Sequence, residues 1–311
     1  MQYESLIMRS DFKPRFSGHE TFPFRYDWLR KVLAGSGGGK LVSSTLYSPI
    51  EREMITYGVG KNMVRSMSHW AEVTGAGKVT GGQIEPTSFG RDILLDTDPY
   101  LESIGTIWVL HWRIATNAEL ATTWYWLFNL YPSAVVNART AAEELKKFAL
   151  IQGWRSISDN TLRRDVECLL RCYSVERGRK GELTEDSIEC PLAELQLLRP
   201  QADKRMLEFQ RGPKPTLPDN VFAFALHEFW QSTTKADTLS FDQIAYGTGS
   251  PGRVFRLDEE SLLERLERIE DVSKAAFRWQ DSAGLQQVQR LRRLNEGGIK
   301  LLTRASRRLA A

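Results

Sequence analysis

The sequence predicts a mainly α-helical protein with small β-wings, built from winged helix-turn-helix-type units around a helical, aromatic-rich core. Three stretches combine a helix-start signal with apolar residues at helical spacing and a turn marked by glycine or proline. A fourth stretch, residues 104–131, is dense in tryptophan and tyrosine. The 311 residues are 41% hydrophobic and include nine tryptophans, so the chain can bury a large core.

These signals divide the chain into six segments that share no sequence period, so we do not expect a solenoid of repeats. The segments are an N-terminal motif segment (1–47), a winged helix-turn-helix-like unit (48–98), an aromatic helical pair (99–136), a second helix-turn-helix-like unit (137–211), a linker (212–220) and a C-terminal winged-helix-like unit with a basic tail (221–311).

The first unit begins with a capping box in which Ser48 is the N-cap and Glu51 the third helical residue. This helix should end near Tyr57, before a turn at Gly58 and Gly60. A second helix follows in KNMVRSMSHWAEVTG. Two short strands around Gly81-Gly82 then form a small wing, and another helix begins near Thr87.

The second helix of such a unit usually lies in the DNA major groove. Its apolar face leaves a polar face formed by Lys61, Asn62, Arg65, Ser66 and His69. Lysine and arginine suit phosphate or guanine, and asparagine suits adenine, so these five residues are the predicted DNA contacts of the unit. The alternative is a protein-docking module, since winged-helix units often serve that purpose. A polar face is not specific to DNA binding, because any surface helix has one.

The aromatic helical pair lies between the first two units. His111, Arg113, Asn117 and Glu119 interrupt its apolar run, and so many polar groups would be costly in a bilayer. We therefore expect a buried helical pair that clamps the N-terminal segment to the middle of the protein, and no membrane association.

The second unit opens with a capping box at Thr140 and Glu143, and its second helix begins near Asp159. Arg163 and Arg164 lie outside the apolar positions of that helix and are further predicted DNA contacts. Intrahelical ion pairs explain Arg163 equally well, because Glu167 follows it by four residues.

The third unit follows the proline-rich linker GPKPTLPDN. We expect a weaker capping box from Ser240 to Gln243, a helix capped by Asp258, a strand in AFRWQD and a final basic helix. From residue 285 onward seven basic residues face one acidic residue, a net charge of +6. Such a tail suits a polyanion, with Arg290 and Arg293 as contacts, although a solvated helix face explains it as well.

The three cysteines, Cys168, Cys172 and Cys190, are too few for a disulfide framework and are expected to be buried thiols. The N-terminus lacks the basic and apolar regions of a secretory signal. Both observations favour a cytoplasmic protein.

Candidate chemistry centres on FSGHETFPFR, residues 16–25. No standard nuclease signature is present, and GVGK lacks the spacing of a phosphate-binding loop. The candidate catalytic residues are the polar groups inside otherwise apolar motifs, namely His19, Glu20, Arg25, Asp98 and Glu102. Glu20 and Asp98 are the candidate metal ligands, and Mg²⁺ or Mn²⁺ is the ion they would suit. The alternative for Ser17–Glu20 is a structural capping box.

Four motifs in the same order resemble one bacterial family: FSGHETFPFRYDWL, GVGKNMVRSMSHWAE, DPYLESIGTIWVLHWRI and WYWLFN. It is a family of unknown-function domains found in gene clusters for single-stranded DNA phosphorothioate modification. The resemblance covers about residues 15–198 and continues more weakly beyond. It implies a DNA-nicking protein that opens one strand so that sulfur can replace a non-bridging phosphate oxygen. No residue-level catalytic assignment comes with it.

The function that we expect is therefore binding and nicking of double-stranded DNA within a phosphorothioation system of anti-phage defence. The resemblance implies an ATPase and sulfur-transfer proteins as partners. The alternative is a non-catalytic winged-helix regulator or adaptor of the same complex.

Overall fold

A computed structural model describes residues 6–35, 49–80, 83–154, 157–174, 190–203, 205–282, 284–294 and 298–303. Several predicted features lie outside these ranges, namely the Ser48 cap, the Gly81-Gly82 turn and the last basic residues of the tail, Arg304, Arg307 and Arg308. The described chain is mainly helical with small antiparallel sheets, which confirms the predicted class at that level. The winged helix-turn-helix arrangement stays a prediction.

The helices are α1 (Tyr26–Gly35), α2 (Pro49–Tyr57), α3 (Lys61–Val73), α4 (Ile104–Thr116), α5 (Thr122–Asn129), α6 (Ala138–Ile151), α7 (Asp159–Tyr173), α8 (Asp219–Thr233), α9 (Phe241–Tyr246), α10 (Pro251–Val254), α11 (Glu259–Glu267), α12 (Ile269–Ser273) and α13 (Ile299–Thr303). The strands are β1 (Gly77–Thr80), β2 (Gln83–Pro86), β3 (Val135–Val136), β4 (Leu198–Pro200), β5 (Leu207–Phe209), β6 (Thr238–Ser240), β7 (Phe277–Ser282) and β8 (Leu285–Arg290). They form three antiparallel sheets, ordered β1-β2, β3-β5-β4 and β6-β8-β7.

The N-terminal unit contains the predicted helices and hairpin in the predicted order. Helix α3 packs against α1, α2 and β1. The helical turn at Gly90–Leu95 follows the hairpin. Gly90 is required there, since an added Cβ would lie 2.0 Å from the Ala76 carbonyl oxygen. This close approach fixes the hairpin against the end of α3.

The aromatic helical pair forms the centre of the core, as predicted. Helices α4 and α5 pack together, and Trp108, Trp112 and Trp124 are almost fully buried. One hydrophobic cluster extends from the N-terminal segment through these helices to the C-terminal unit. Helices α3 and α7 both contribute to this cluster, so one hydrophobic core supports them. All three cysteines are free and buried, as expected.

The helix starts of the second and third units follow local signals with one exception. Helix α7 begins at the predicted residue, and Ser240 and Asp258 cap α9 and α11 as predicted. The predicted start of α6 is wrong, because Asn137, and not Thr140, is its N-cap. The Asn137 side chain accepts the backbone N–H of Thr140, so the helix starts earlier than the predicted box.

The helix predicted to follow AFRWQD is wrong from Leu285 to Arg290, which form strand β8. β8 pairs on one side with β7, which directly precedes it in the chain, and on the other with β6, which lies far away in sequence, and both pairings stabilise it. Only the short helix α13 follows within the described ranges.

None of the described helices combines the length and the apolar composition that a bilayer span requires.

Candidate functional site

Helix α3 exposes a narrower polar face than the sequence predicts. Lys61, Asn62 and Arg65 are exposed on its first turn and a half. Ser66 and His69 are buried, at 0% and 5% exposure, so the prediction that they lie on the polar surface is wrong. The physical reason is that α1, α2 and the segment around residue 19 cover both flanks of the helix beyond its second turn.

The first turn of α3 contains no acidic residue of its own. Gly60 is the N-cap and provides no side-chain hydrogen bond. The first backbone N–H groups of a helix lack intrahelical partners and carry partial positive charge. Together with Lys61 and Arg65, this end of α3 is electrostatically suited to an anion.

A loop from Ser17 to Phe22, here called the His19 loop, packs against α3 and α7. The buried Asp165 side chain on α7 accepts the Ser17 N–H (2.6 Å). The Arg171 guanidinium donates to the Thr21 carbonyl (2.6 Å), and the Trp70 indole donates to the Phe22 carbonyl (3.2 Å). Two helices therefore fix the backbone of this loop at three points.

Both nitrogens of His19 have partners inside the protein. Nδ1 accepts the Thr21 N–H (3.0 Å), so the ring carries its hydrogen on Nε2 and donates it to Asp165 (2.7 Å). The other Asp165 oxygen accepts the Thr123 hydroxyl (2.5 Å). His19 is 2% exposed and starts no helix, so it lies in a loop, and neither a surface role nor helix capping fits its placement.

The His19 loop contains unusual backbone conformations. Ser17, Glu20 and Thr21 have φ values of +61°, +48° and +67°, a region that non-glycine residues seldom adopt. Such strain persists only where the surrounding contacts impose it, and it concentrates at functional sites. Within this strained stretch the Glu20 side chain is partly exposed, and its carboxylate lies 3.7 Å from the Arg65 guanidinium.

His69 lies directly behind the loop. Burial, and after it the neighbouring His19 and Arg15, lowers the pKa of His69 to about 3, so the ring is neutral near pH 7. Its Nδ1 has no hydrogen-bond partner among the described residues. A Cβ at Gly18 would lie 2.5 Å from that nitrogen, so only glycine allows the loop to approach His69 this closely.

The other candidate catalytic residues lie elsewhere. Arg25 precedes α1, with its guanidinium 5.6 Å from the centre of the Trp28 ring. Asp98 is buried, and its two oxygens accept the N–H groups of Glu102 and Ser103 at the start of α4. Glu102 is exposed. A catalytic role for Asp98 stays a prediction.

The remaining predicted DNA contacts differ in accessibility. Arg163 and Arg164 are exposed on α7, and Arg163 lies 3.6 Å from Glu167, as the ion-pair alternative expects. Arg293 is exposed. The Arg290 side chain is only 9% exposed and donates to carbonyls of residues 235 and 236 and to Asp237. It is therefore not available as a surface contact in this conformation.

The two predicted metal ligands, Glu20 and Asp98, both have other partners in the structure. Among the described residues no group of three or more His, Cys, Asp or Glu side chains is arranged to hold a metal ion. Glu20 faces Arg65, and both oxygens of Asp98 accept backbone N–H groups. The metal-ligand role of Glu20 and Asp98 therefore stays a prediction, and we derive no chemical step from it.

Three residues at the site were not among the sequence candidates, namely Arg15, Asp165 and Arg171. A signal for Asp165 was present, because it is an acidic residue next to the apolar positions Leu162, Val166 and Leu169 of an amphipathic helix. A carboxylate there must be paired when the helix packs. Its partners, at residues 17 and 19, lie too far away in sequence to be read from a local pattern.

Comparison with known proteins gives a family and a fold. Residues 16–305 match the family described as "Protein of unknown function (DUF4007)". No curated protein matches significantly. A structure titled "Magnesium ion-bound SspB crystal structure" superposes with a TM-score of 0.82 at 24% identity, covering 99% of this chain and 92% of that one. One titled "SspB crystal structure" gives 0.79 at 24% identity, covering 95% and 89%.

At this identity the solved structures establish a common fold, and the family match spans most of the chain. Together they confirm the resemblance that the four sequence motifs predicted. The protein belongs to the DUF4007 family.

Proposed function

We propose that this protein is a DNA-binding component of a phosphorothioate modification system, and that the first turn and a half of α3 contacts the sugar-phosphate backbone. The observation that carries the proposal is the joint exposure of Lys61, Asn62 and Arg65 at an uncapped helix N-terminus. The resemblance of the motifs and the SspB-like fold support the biological setting. An ATPase and sulfur-transfer proteins are the proposed partners.

The surroundings of α3 suit a duplex. The β1-β2 hairpin follows the helix directly, as a wing does in winged-helix proteins that track the phosphate backbone. Lys78 on that hairpin is exposed and adds a cation. The short exposed face of α3 favours backbone contact over extensive base reading, because only Asn62 has the side-chain amide that pairs with an adenine edge.

We expect Lys61→Ala and Arg65→Ala each to weaken duplex binding about tenfold, because each removes a charge-assisted contact. Fluorescence anisotropy with a labelled 30-base-pair duplex measures this over a series of salt concentrations. Each substitution should also reduce the slope of log affinity against log salt by about one. Arg205→Ala is the control, since this exposed arginine also pairs loosely with an acidic neighbour, 3.4 Å away.

If Lys61→Ala and Arg65→Ala both keep the wild-type affinity and salt dependence, α3 does not contact the DNA, and any duplex binding uses another surface. A protein that fails to bind the duplex but copurifies with its ATPase partner would be a docking subunit.

Strand nicking is the second candidate, and the partly exposed Glu20 carboxylate beside Arg65 in a strained loop favours it. Hydrolysis forms a bond from a water oxygen to phosphorus and breaks one P–O bond, and the leaving oxygen takes up a proton. Glu20 would accept a proton from the water, and Arg65 would neutralise charge on the phosphate. His19 would act through the loop, since both of its nitrogens are occupied.

We expect Glu20→Gln to abolish conversion of supercoiled plasmid to open circles without weakening duplex binding. The assay is run with magnesium, with manganese and with a chelator, and agarose gels quantify the circles. Asp27→Asn is the control, since Asp27 is another exposed acidic residue of the N-terminal segment. Wild-type nicking by the Glu20 variant would exclude Glu20 from the reaction, and absence of nicking in the wild type would favour the non-catalytic DNA-binding alternative.

A further inference from the structure

We infer that Arg15, Arg65 and Arg171 form a binding site for one DNA phosphate over the His19 loop. This inference rests on the proposed function and deepens it, because it extends the DNA path from α3 across the loop to α7. Arg15 and Arg171 were not among the residues that the sequence assigned to DNA.

Two of the arginines, which lie on different helices, contact consecutive loop residues. Arg65 on α3 approaches the Glu20 carboxylate at 3.7 Å, and Arg171 on α7 donates to the Thr21 carbonyl at 2.6 Å. Because Glu20 and Thr21 are neighbours in the chain, both guanidinium groups lie beside the same short stretch of the loop. The surrounding contacts hold both residues at positive φ values.

Arg15 adds the third charge from the chain that leads into the loop. The backbone N–H of Arg15 donates to the hydroxyl of Thr122, the first residue of α5 (2.9 Å). This hydrogen bond holds the Arg15 backbone against the start of α5. The Arg15 side chain is exposed and forms no hydrogen bond or ion pair with the residues that the structure describes. It nevertheless lies close enough to His69, one helical turn beyond Arg65, to lower the pKa of that ring.

The ion pair between Glu20 and Arg65 is weak. The Glu20–Arg65 separation exceeds hydrogen-bond length, and both side chains are partly exposed, at 34% and 49%. Exposed pairs of this kind contribute little to stability. A DNA phosphate that accepts hydrogen bonds from two guanidinium groups would therefore displace Glu20 from Arg65, because forked arginine–phosphate contacts are stronger.

The other nearby carboxylate does not oppose an anion. Asp165 is buried beneath the loop, and its oxygens accept hydrogen bonds from Ser17, His19 and Thr123. Its charge is therefore satisfied from inside the protein, while the three guanidinium groups come from three separate segments of chain. Arginine is suited to this arrangement, since its planar fork binds phosphate with fixed geometry.

The test measures binding of the full-length chain to the same labelled 30-base-pair duplex. Arg15→Ala removes no hydrogen bond within the described protein, so its effect reports on the ligand. We expect about tenfold weaker binding and a salt slope smaller by about one. Arg171→Lys keeps the charge and removes the fork, and we expect several-fold weaker binding with an unchanged slope. Glu20→Gln should bind at least as tightly as the wild type.

Thermal unfolding of each variant checks that the fold is retained, and Arg205→Ala again serves as the exposed-arginine control. Wild-type affinity in both Arg15→Ala and Arg171→Lys, with weakened Lys61→Ala, would overturn the phosphate site and leave the α3 proposal intact. Absence of duplex binding by the wild-type protein would overturn both.

Discussion

Asp165→Ala is expected to lower the free energy of unfolding by about 3–5 kcal/mol, the cost typical of breaking a buried charged network. Asp165 accepts hydrogen bonds from the Ser17 backbone, His19 and Thr123, and its side chain is 3% exposed. Removing the carboxylate leaves two buried donors, from His19 and Thr123, and one partly buried donor, from Ser17, without an acceptor. Urea denaturation followed by tryptophan fluorescence measures the loss, because Trp70 and Trp124 surround His19.

Glu167→Ala is the matched control for this prediction. Glu167 lies two residues further along α7, is 46% exposed and approaches Arg163 at only 3.6 Å. Its removal should change the unfolding free energy by less than about 1 kcal/mol. Equal stabilities of the two variants would show that Asp165 does not anchor the loop. The stability of Asp165→Asn should lie between those of Asp165→Ala and Glu167→Ala, since the amide retains one acceptor oxygen and adds two donors.

Acidification is expected to destabilise the protein steeply below pH 6.5. Burial lowers the pKa of both His69 and His111 to about 3, whereas a histidine in the unfolded chain titrates near its ordinary value of about 6.5. Between these values the unfolded chain binds more protons than the folded one, so stability rises with pH. Each of the two histidines should lower the free energy of unfolding by about 2 kcal/mol when the pH falls from 6.5 to 5.

His111 provides the control because its environment is simple. Its Nε2 donates to the Val254 carbonyl (3.0 Å), and its Nδ1 accepts the Tyr173 hydroxyl (2.8 Å). His111→Gln should reduce the pH dependence by roughly half, even if it also lowers stability at pH 7. Urea midpoints measured from pH 7.5 to 5 test this. A stability that stays flat over that range, or a variant with the full wild-type slope, would contradict neutral burial of these rings.

The sequence allowed prediction of those elements whose signals are local. The Ser240 capping box, the Asp258 cap and the limits of α3 each depend on residues within one or two turns. Residues 285–290 were misassigned because the basic tail was predicted to be helical from Leu285 onward, whereas pairing with β7 and β6 makes them a strand. The pairing with β6, which lies far away in sequence, leaves no periodic trace in the strand itself.

In the candidate site too, local sequence signals were read correctly and contacts between distant residues were not. Helical spacing gave the exposed residues Lys61, Asn62 and Arg65, but it misplaced Ser66 and His69. A hydropathy pattern assigns polar residues to solvent, whereas here the His19 loop packs against His69, and α1 and α2 pack against the same helix. Asp165 and Arg171 were missed for a related reason, since they contact residues about 150 positions away.

The position of α3 on DNA can be tested most directly by site-specific crosslinking. A Lys61→Cys variant is labelled with a photoreactive azidophenacyl group, and the three native cysteines should not compete because they are buried. Irradiation with the duplex at saturating protein should give a covalent protein–DNA adduct, and an equally labelled Arg205→Cys variant should give none. Duplex binding without any adduct from position 61 would contradict the contact between α3 and the sugar-phosphate backbone.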